Sequence, residues 1–150
     1  MIRLIRTNSD NQDFKKLVNL LDAELAIRDG DDHEFYHQFN SIVDLNYTVV
    51  AYKNNEAIGC GALKELTQDS VEIKRMYVKL NARTKGVAGE ILAELEKWAF
   101  ELAYKKCRLE TGKKQPEAIV LYERKGYHRI INYGQYFGIE NSLCFEKLLS

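Results

Sequence analysis

The sequence predicts a mixed α/β domain built on one sheet. Three observations carry this. β-patterned runs and helix-periodic runs interleave along the whole chain. Their order, β-α-α-β-β-β-α-β-α-β-β, requires a sheet with both parallel and antiparallel neighbours. The chain has 150 residues, 45% hydrophobic and 29% charged, enough for one substantial core, so a single domain over 1–150 is expected.

Each element has a local reason. Ile2–Arg6 alternates apolar and polar residues, as a half-buried strand does. Asn11–Arg28 places Phe14, Leu17, Val18, Leu21 and Leu25 on one helical stripe, and Asp29-Gly30-Asp31 breaks it. Asp31–Asp44 reads as a second helix with Phe35, Phe39, Ile42 and Val43 inward. Tyr47–Tyr52 and Ala57–Lys64 form a hairpin around Lys53-Asn54-Asn55-Glu56, because asparagine tolerates the positive φ of a tight turn. Val71–Val78 is a strand. Gly86–Tyr104 is an amphipathic helix with Ala88, Ile91, Leu92, Leu95, Ala99 and Leu102 in register. Cys107–Thr111 is a short strand. Gln115–Arg124 is a helix with Pro116 in its first turn and Gly126 just past its end. Tyr127–Asn132 and Ser142–Leu148 are the last two strands.

Composition narrows the function classes. The formal net charge is zero, so no global field points to nucleic acid. Residues 1–66 carry −4 and residues 67–150 carry +4, which suits one cationic and one anionic ligand as well as chance scatter. Cys60, Cys107 and Cys144 are widely spaced and odd in number, which predicts buried, reduced thiols and a cytoplasmic setting. The opening MIRLIRTNSD has no apolar h-region, and no apolar run is long enough for a membrane span.

The segment His33-Glu34-Phe35-Tyr36-His37 matches H-E-x-x-H, a zinc-peptidase pattern in which two histidines share a helix face. A third ligand is required. Asn40 and Val43 stand where one continuation needs Gly and His, and Glu56, the nearest acid in range for a continuation that needs a helical glutamate, falls in the hairpin turn. The match is therefore read as accidental, and no metal is expected.

The stretch YVKLNARTKGVAGEILAEL (77–95) is more informative. A strand ends at Val78, a loop carries Arg83, Lys85, Gly86 and Gly89, and a long helix begins. Unpaired N–H groups and the dipole at a helix N-terminus favour phosphate. Arg83-x-x-Gly86-x-Ala88 resembles the R/Q-x-x-G-x-G/A motif of the GNAT N-acetyltransferase family. LETGKKQPEAIVLYERKGY (109–127) is similar to that family's second motif, with Ala118, Leu121, Tyr122 and Gly126-Tyr127 in place. The element order agrees over nearly the whole chain.

The resemblance implies a GNAT-like acyl-CoA N-acyltransferase fold of a small bacterial type, with acetyl-CoA as co-substrate. The splayed parallel strands would be Glu72–Val78 and Cys107–Thr111. Backbone groups of Met76, Tyr77 and Val78 would pair with the pantetheine arm, and an N–H near Met76 or Tyr77 would face the developing oxyanion. The pyrophosphate would lie on N–H groups of Arg83, Thr84, Lys85, Gly86, Val87, Ala88 and Gly89. Gln115 stands where many relatives carry a cofactor-contacting Asn.

Tyr122 matches the family's general-acid position; its other reading is core packing beside Ala118 and Leu121. Glu72 is similar in place to the general base of histone-modifying members, acting directly or through water; its other reading is a solvated strand residue pairing with Lys74, and Asp32, His33 and Glu34 are rival bases from the acceptor side. Asp32, His33, Glu34 and Tyr36 fall where the family builds its acceptor wall, although Asp29, Asp31, Asp32 and Glu34 also suit a helix N-terminus without any ligand. NYGQYFGIENS (132–142) is either a mobile lip or a connection that needs glycine. The expected acceptor is a primary amine of a small molecule or amino acid. A protein N-terminus or lysine, and a non-catalytic acyl-CoA-binding module, are the alternatives. No nucleic acid or membrane partner is expected, and the oligomer is a monomer or homodimer.

Overall fold

The computed structural model describes residues 1–38, 41–42 and 45–150. Seven strands form one sheet: β1 (Ile2–Thr7), β2 (Tyr47–Lys53), β3 (Glu56–Glu65), β4 (Ser70–Val78), β5 (Lys106–Gly112), β6 (His128–Ile130) and β7 (Ser142–Leu148). Their spatial order is β1-β2-β3-β4-β5-β7-β6. The β4–β5 pair is parallel and the others are antiparallel. Helix α1 (Gln12–Asp29) packs on one face; α3 (Val87–Glu101) and α4 (Pro116–Arg124) pack on the other.

Most elements form where their patterns put them. Asn11 caps α1 by accepting from the Phe14 N–H at 2.9 Å, and Gly30 ends the helix at φ 54°. Asn54 and Asn55 take φ of 52° and 67°, the left-handed pair that a two-residue hairpin turn requires. All three cysteines are free and buried. No helix among the described residues is long and apolar enough to cross a membrane.

Two expectations need correction. The helix over 31–44 is instead a 3-10 turn at Gly30–Asp32 followed by α2 (His33–His37), a single turn. None of its residues is fully buried, so little tertiary packing sustains a longer helix from Asp- and His-rich sequence. Phe35 and Ile42 are half-buried, while Phe39 and Val43 lie outside the described residues. The strand over 127–132 is only three residues long, because β6 is an edge strand paired on β7 alone at His128, Arg129 and Ile130.

The sheet opens in its middle. β4 and β5 pair only at Ser70↔Lys106, Val71↔Cys107 and Glu72↔Arg108. Beyond Glu72 the two strands diverge, while β4 stays paired to β3 and β5 to β7. A bulge helps to turn β4: between Cys60 and Ala62 of β3, β4 carries one extra residue, and Arg75 takes φ 57°.

Helix α3 lies close against β3 because that strand presents glycine. A Cβ on Gly61 would come within 2.6 Å of Met76 Sδ and 2.8 Å of Leu95 Cδ1. Gly61→Ala is therefore expected to lower stability by about 1–3 kcal/mol, through overpacking, in urea unfolding at constant m-value. An unchanged midpoint would show that α3 can move aside without cost.

Candidate active site

The divergence of β4 and β5 leaves a pocket of about 130 Å³ that runs between the strands. Glu72, Lys74, Arg75 and Met76 come from β4, and Glu110 and Thr111 from β5. Gln115, Ala118 and Tyr122 form the α4 side, Leu21 and Leu25 the α1 side, and Tyr136 closes one end. Four residues expected from the sequence, Glu72, Met76, Gln115 and Tyr122, thus share one pocket.

Tyr122 is buried, edge-on to Tyr127 and tilted against Phe145. Burial, and secondarily the nearby Glu110 carboxylate, hold its phenol well above the ordinary tyrosine range. It keeps its proton at neutral pH and has one to donate. The ring packs in the core, as one reading of the sequence had it, and the residue also borders the pocket.

Glu72 and Lys74 point to the same face, two residues apart on β4, with 3.5 Å between Oε1 and Nζ. Both side chains are buried rather than solvated. Tyr133 donates to Glu72 Oε2 at 2.6 Å. The Glu72 carboxylate is thus engaged at both oxygens.

The sequence reading missed Glu110. It lies on the same face of β5, two residues past Arg108. Its Oε2 is buried without a hydrogen-bond partner. Burial pushes the carboxyl up to about 7; a Ser142 hydrogen bond and Lys74 oppose this, while Glu72 and Asp29 add to it. A carboxyl poised near neutrality suits proton exchange. The signal available in the sequence was the alternation of Cys107–Thr111, which puts Cys107 and Leu109 into the core and Glu110 on the opposite face.

The acceptor-side residues divide. Tyr36 OH lies 2.8 Å from Ser142 Oγ, so either hydroxyl can donate and the pair leads to Glu110. Asp32 Oδ2 accepts from Asn141 Nδ2 at 2.6 Å, with Lys114 Nζ at 3.9 Å. These contacts tie the α1–α2 region to the start of β7. His33 Nδ1 is buried without a partner, and Glu34 is exposed. The His33 and His37 rings lie 5.2 Å apart. Among the described residues no group of three His, Cys, Asp or Glu side chains is arranged to hold a metal.

The 132–142 connection is anchored. Asn132 Nδ2 donates to the carbonyls of Ile139 and Ser142 at 3.0 and 2.9 Å, and Tyr136 is buried. Gly134 and Gly138 take φ of 53° and 78°, the requirement the glycine reading named.

At the far end of β4 the loop enters α3. Thr84 and Gly86 take φ of 66° and 82°, and no side chain caps the helix. The N–H groups of Val87, Ala88 and Gly89 therefore have no intrahelical partner, as at any uncapped helix start. The Arg83 side chain is engaged within the fold. Its Nε donates to Val78 O at 2.7 Å, its Nη2 to Glu24 at 2.8 Å, and its guanidinium lies over Tyr77. The loop presents backbone amides, with the Arg83 charge already paired. Lys85 is exposed, its Nζ 3.5 Å from Asn81 O.

Comparison with known proteins gives the family and the fold. The model of the acetyltransferase (GNAT) family matches residues 14–127. The uncharacterized N-acetyltransferase YjgM of Escherichia coli (strain K12) is 31% identical over 135 residues, 83% of this chain and 80% of the relative. A Klebsiella pneumoniae crystal structure described as an acyl-CoA N-acyltransferase superposes with TM-score 0.84 at 26% identity, over 100% of this chain and 99% of the other. A GNAT family acetyltransferase from Elizabethkingia anophelis with acetyl-CoA bound shares the fold, with TM-score 0.72 at 19% identity over 99% of this chain and 98% of the other.

Proposed function

The chain belongs to the acetyltransferase (GNAT) family, whose acyl donor is acetyl-CoA, and on that premise we propose that it acetylates the primary amine of a small molecule, with Tyr122 as general acid and Glu110 as general base. The observation that carries this is the opening between β4 and β5, where the Tyr122 phenol and the unpartnered Glu110 oxygen border one pocket. One N-acetyltransferase domain spans 1–150, and three buried free thiols support a reducing, cytoplasmic setting.

The donor supplies an acyl thioester, and the remaining work falls to the chain. The unpartnered amides of Val87–Gly89, beside the Thr84 and Gly86 turns, suit the donor's pyrophosphate. The edge of β4 at Met76–Val78, unpaired to β5 and with only Val78 O taken by Arg83, suits its amide-bearing arm, and an N–H there suits the carbonyl oxygen as negative charge develops. Gln115, at the entry of α4, offers an amide to the same arm. A C–N bond forms as the C–S bond breaks. Glu110 takes the proton that the amine loses, and Tyr122 gives its proton to the sulfur.

This revises the part expected of Glu72. With Lys74 on one oxygen and Tyr133 on the other, Glu72 is better suited to holding the acceptor side in place. Glu110 has the free oxygen and the neutral-range pKa. The Tyr36–Ser142 and Asp32–Asn141 contacts brace the acceptor wall. That bracing and the small pocket favour a small amine over a protein segment.

An amine panel with acetyl-CoA, followed by thiol release, tests the reading. Turnover of at least one small amine, and none of unstructured peptides, is the expected result. Donor binding without turnover of any amine would leave only an acyl-CoA-binding module.

A further inference from the structure

Resting on the amine-acetylating reading, we infer that the acceptor carries a carboxylate, held in a cationic groove next to the amine pocket. The groove is about 750 Å³ and open to solvent, and Lys106, Arg108, Arg129, Tyr133 and Glu146 line it. It lies apart from the donor loop, on the side of the sheet that carries Glu72 and Glu110.

β5 fixes the relation between the two sites. Lys106, Arg108 and Glu110 alternate onto one face, so the groove follows directly from the proposed base. Arg108 and Glu110 are two residues apart, about 7 Å along an extended strand. Tyr133 is the shared wall. Its hydroxyl donates to Glu72 in the pocket, while its ring lines the groove and lies under the Arg108 guanidinium at 6.0 Å.

The groove keeps a cationic surplus. Glu146 accepts from Arg108 Nε at 2.8 Å and has Lys106 Nζ at 3.9 Å, so one carboxylate faces two cations. Arg129 borders the groove, but its guanidinium lies over Phe145 on the other face of the sheet, so Lys106 and Arg108 are the two cations that count here. Nε is the only Arg108 nitrogen with a hydrogen-bond partner among the described residues. Its two Nη groups are left to offer a planar pair of donors, the arrangement that matches a carboxylate. An acceptor with its amine at Glu110 and its carboxylate at Arg108 must separate the two by several bonds. An ω-amino acid or the chain-end amine of a longer amino acid has that form.

The test compares ω-amino acids of increasing chain length with alkylamines of matching length that lack the carboxylate. The expected result is a kcat/KM at least tenfold higher for the acid at its best length. Arg108→Gln is expected to cut that preference about tenfold, mainly through acceptor KM. Lys106→Gln, at a half-buried position, should cut it severalfold and serves if Arg108→Gln does not fold. Equal kcat/KM for acids and alkylamines, or an unchanged preference in both variants, overturns the carboxylate site while leaving the amine reading intact. Absence of turnover with every amine overturns both.

Discussion

Tyr122→Phe is expected to lower kcat about 100-fold while leaving the KM for acetyl-CoA within twofold. The phenol is buried beside Glu110, and both effects hold its proton on. A departing thiolate next to it gains a hydrogen bond and then a proton, and phenylalanine supplies neither. The ring itself remains, so the edge-on contact with Tyr127 and the tilted one with Phe145, at 5.8 and 6.5 Å between centroids, survive. Stability is therefore expected to change by less than about 1 kcal/mol in thermal unfolding. A thioester donor whose thiol is more acidic needs less help in leaving, so the same substitution should cost it less. An equal loss with both donors, or a loss that follows unfolding, would reduce Tyr122 to packing.

The fold was legible because its signals are local. The stripes at Phe14–Leu21 and Ile91–Ala99, the Asn54-Asn55 turn and the Pro116 and Gly126 brackets each carry their physics within a few residues. The segment after Asp29 read poorly for the same reason. Its pattern fits a helix, but helix length depends on what the segment packs against, and α2 is a single turn. The loop into α3 was legible in its backbone, while the pairing of Arg83 was not. Its partners Glu24 and Val78 come from other elements and meet it only in the fold. Glu110 was hidden in a different way. Nothing in Leu109-Glu110-Thr111 marks one acid among 22 acidic residues. What marks it is the burial of its carboxyl among Ser142, Glu72 and Asp29, drawn from β7, β4 and α1. Sequence periodicity gives the face of a strand, but the charge environment on that face is assembled by tertiary contacts.

Glu110→Gln separates catalysis from stability, because the two should move in opposite directions. The proposed base is active when ionised, so the parent rate should rise as pH increases through about 7 and then level off. The variant should lose about 100-fold in kcat at pH 8, together with that limb. Linkage sets the sign for folding. The folded carboxyl holds its proton up to about 7, against an ordinary value of 4.5. Its contribution to stability is therefore complete below 4.5 and is lost as pH rises to about 7. Above that, the buried charge lowers stability by on the order of 3 kcal/mol. Glutamine cannot ionise, so the variant should unfold several degrees higher than the parent at pH 8, and the two should converge near pH 4.5. Glu72→Gln is the contrast. It weakens the buried 3.5 Å contact between Glu72 and Lys74, so it should lower stability at pH 8 rather than raise it. If Glu110→Gln keeps the parent rate and pH profile, the base lies elsewhere, and Glu72 with its two engaged oxygens becomes the next carboxylate to test. If it loses rate but gains no stability at pH 8, the charge at Glu110 is better solvated than its burial implies.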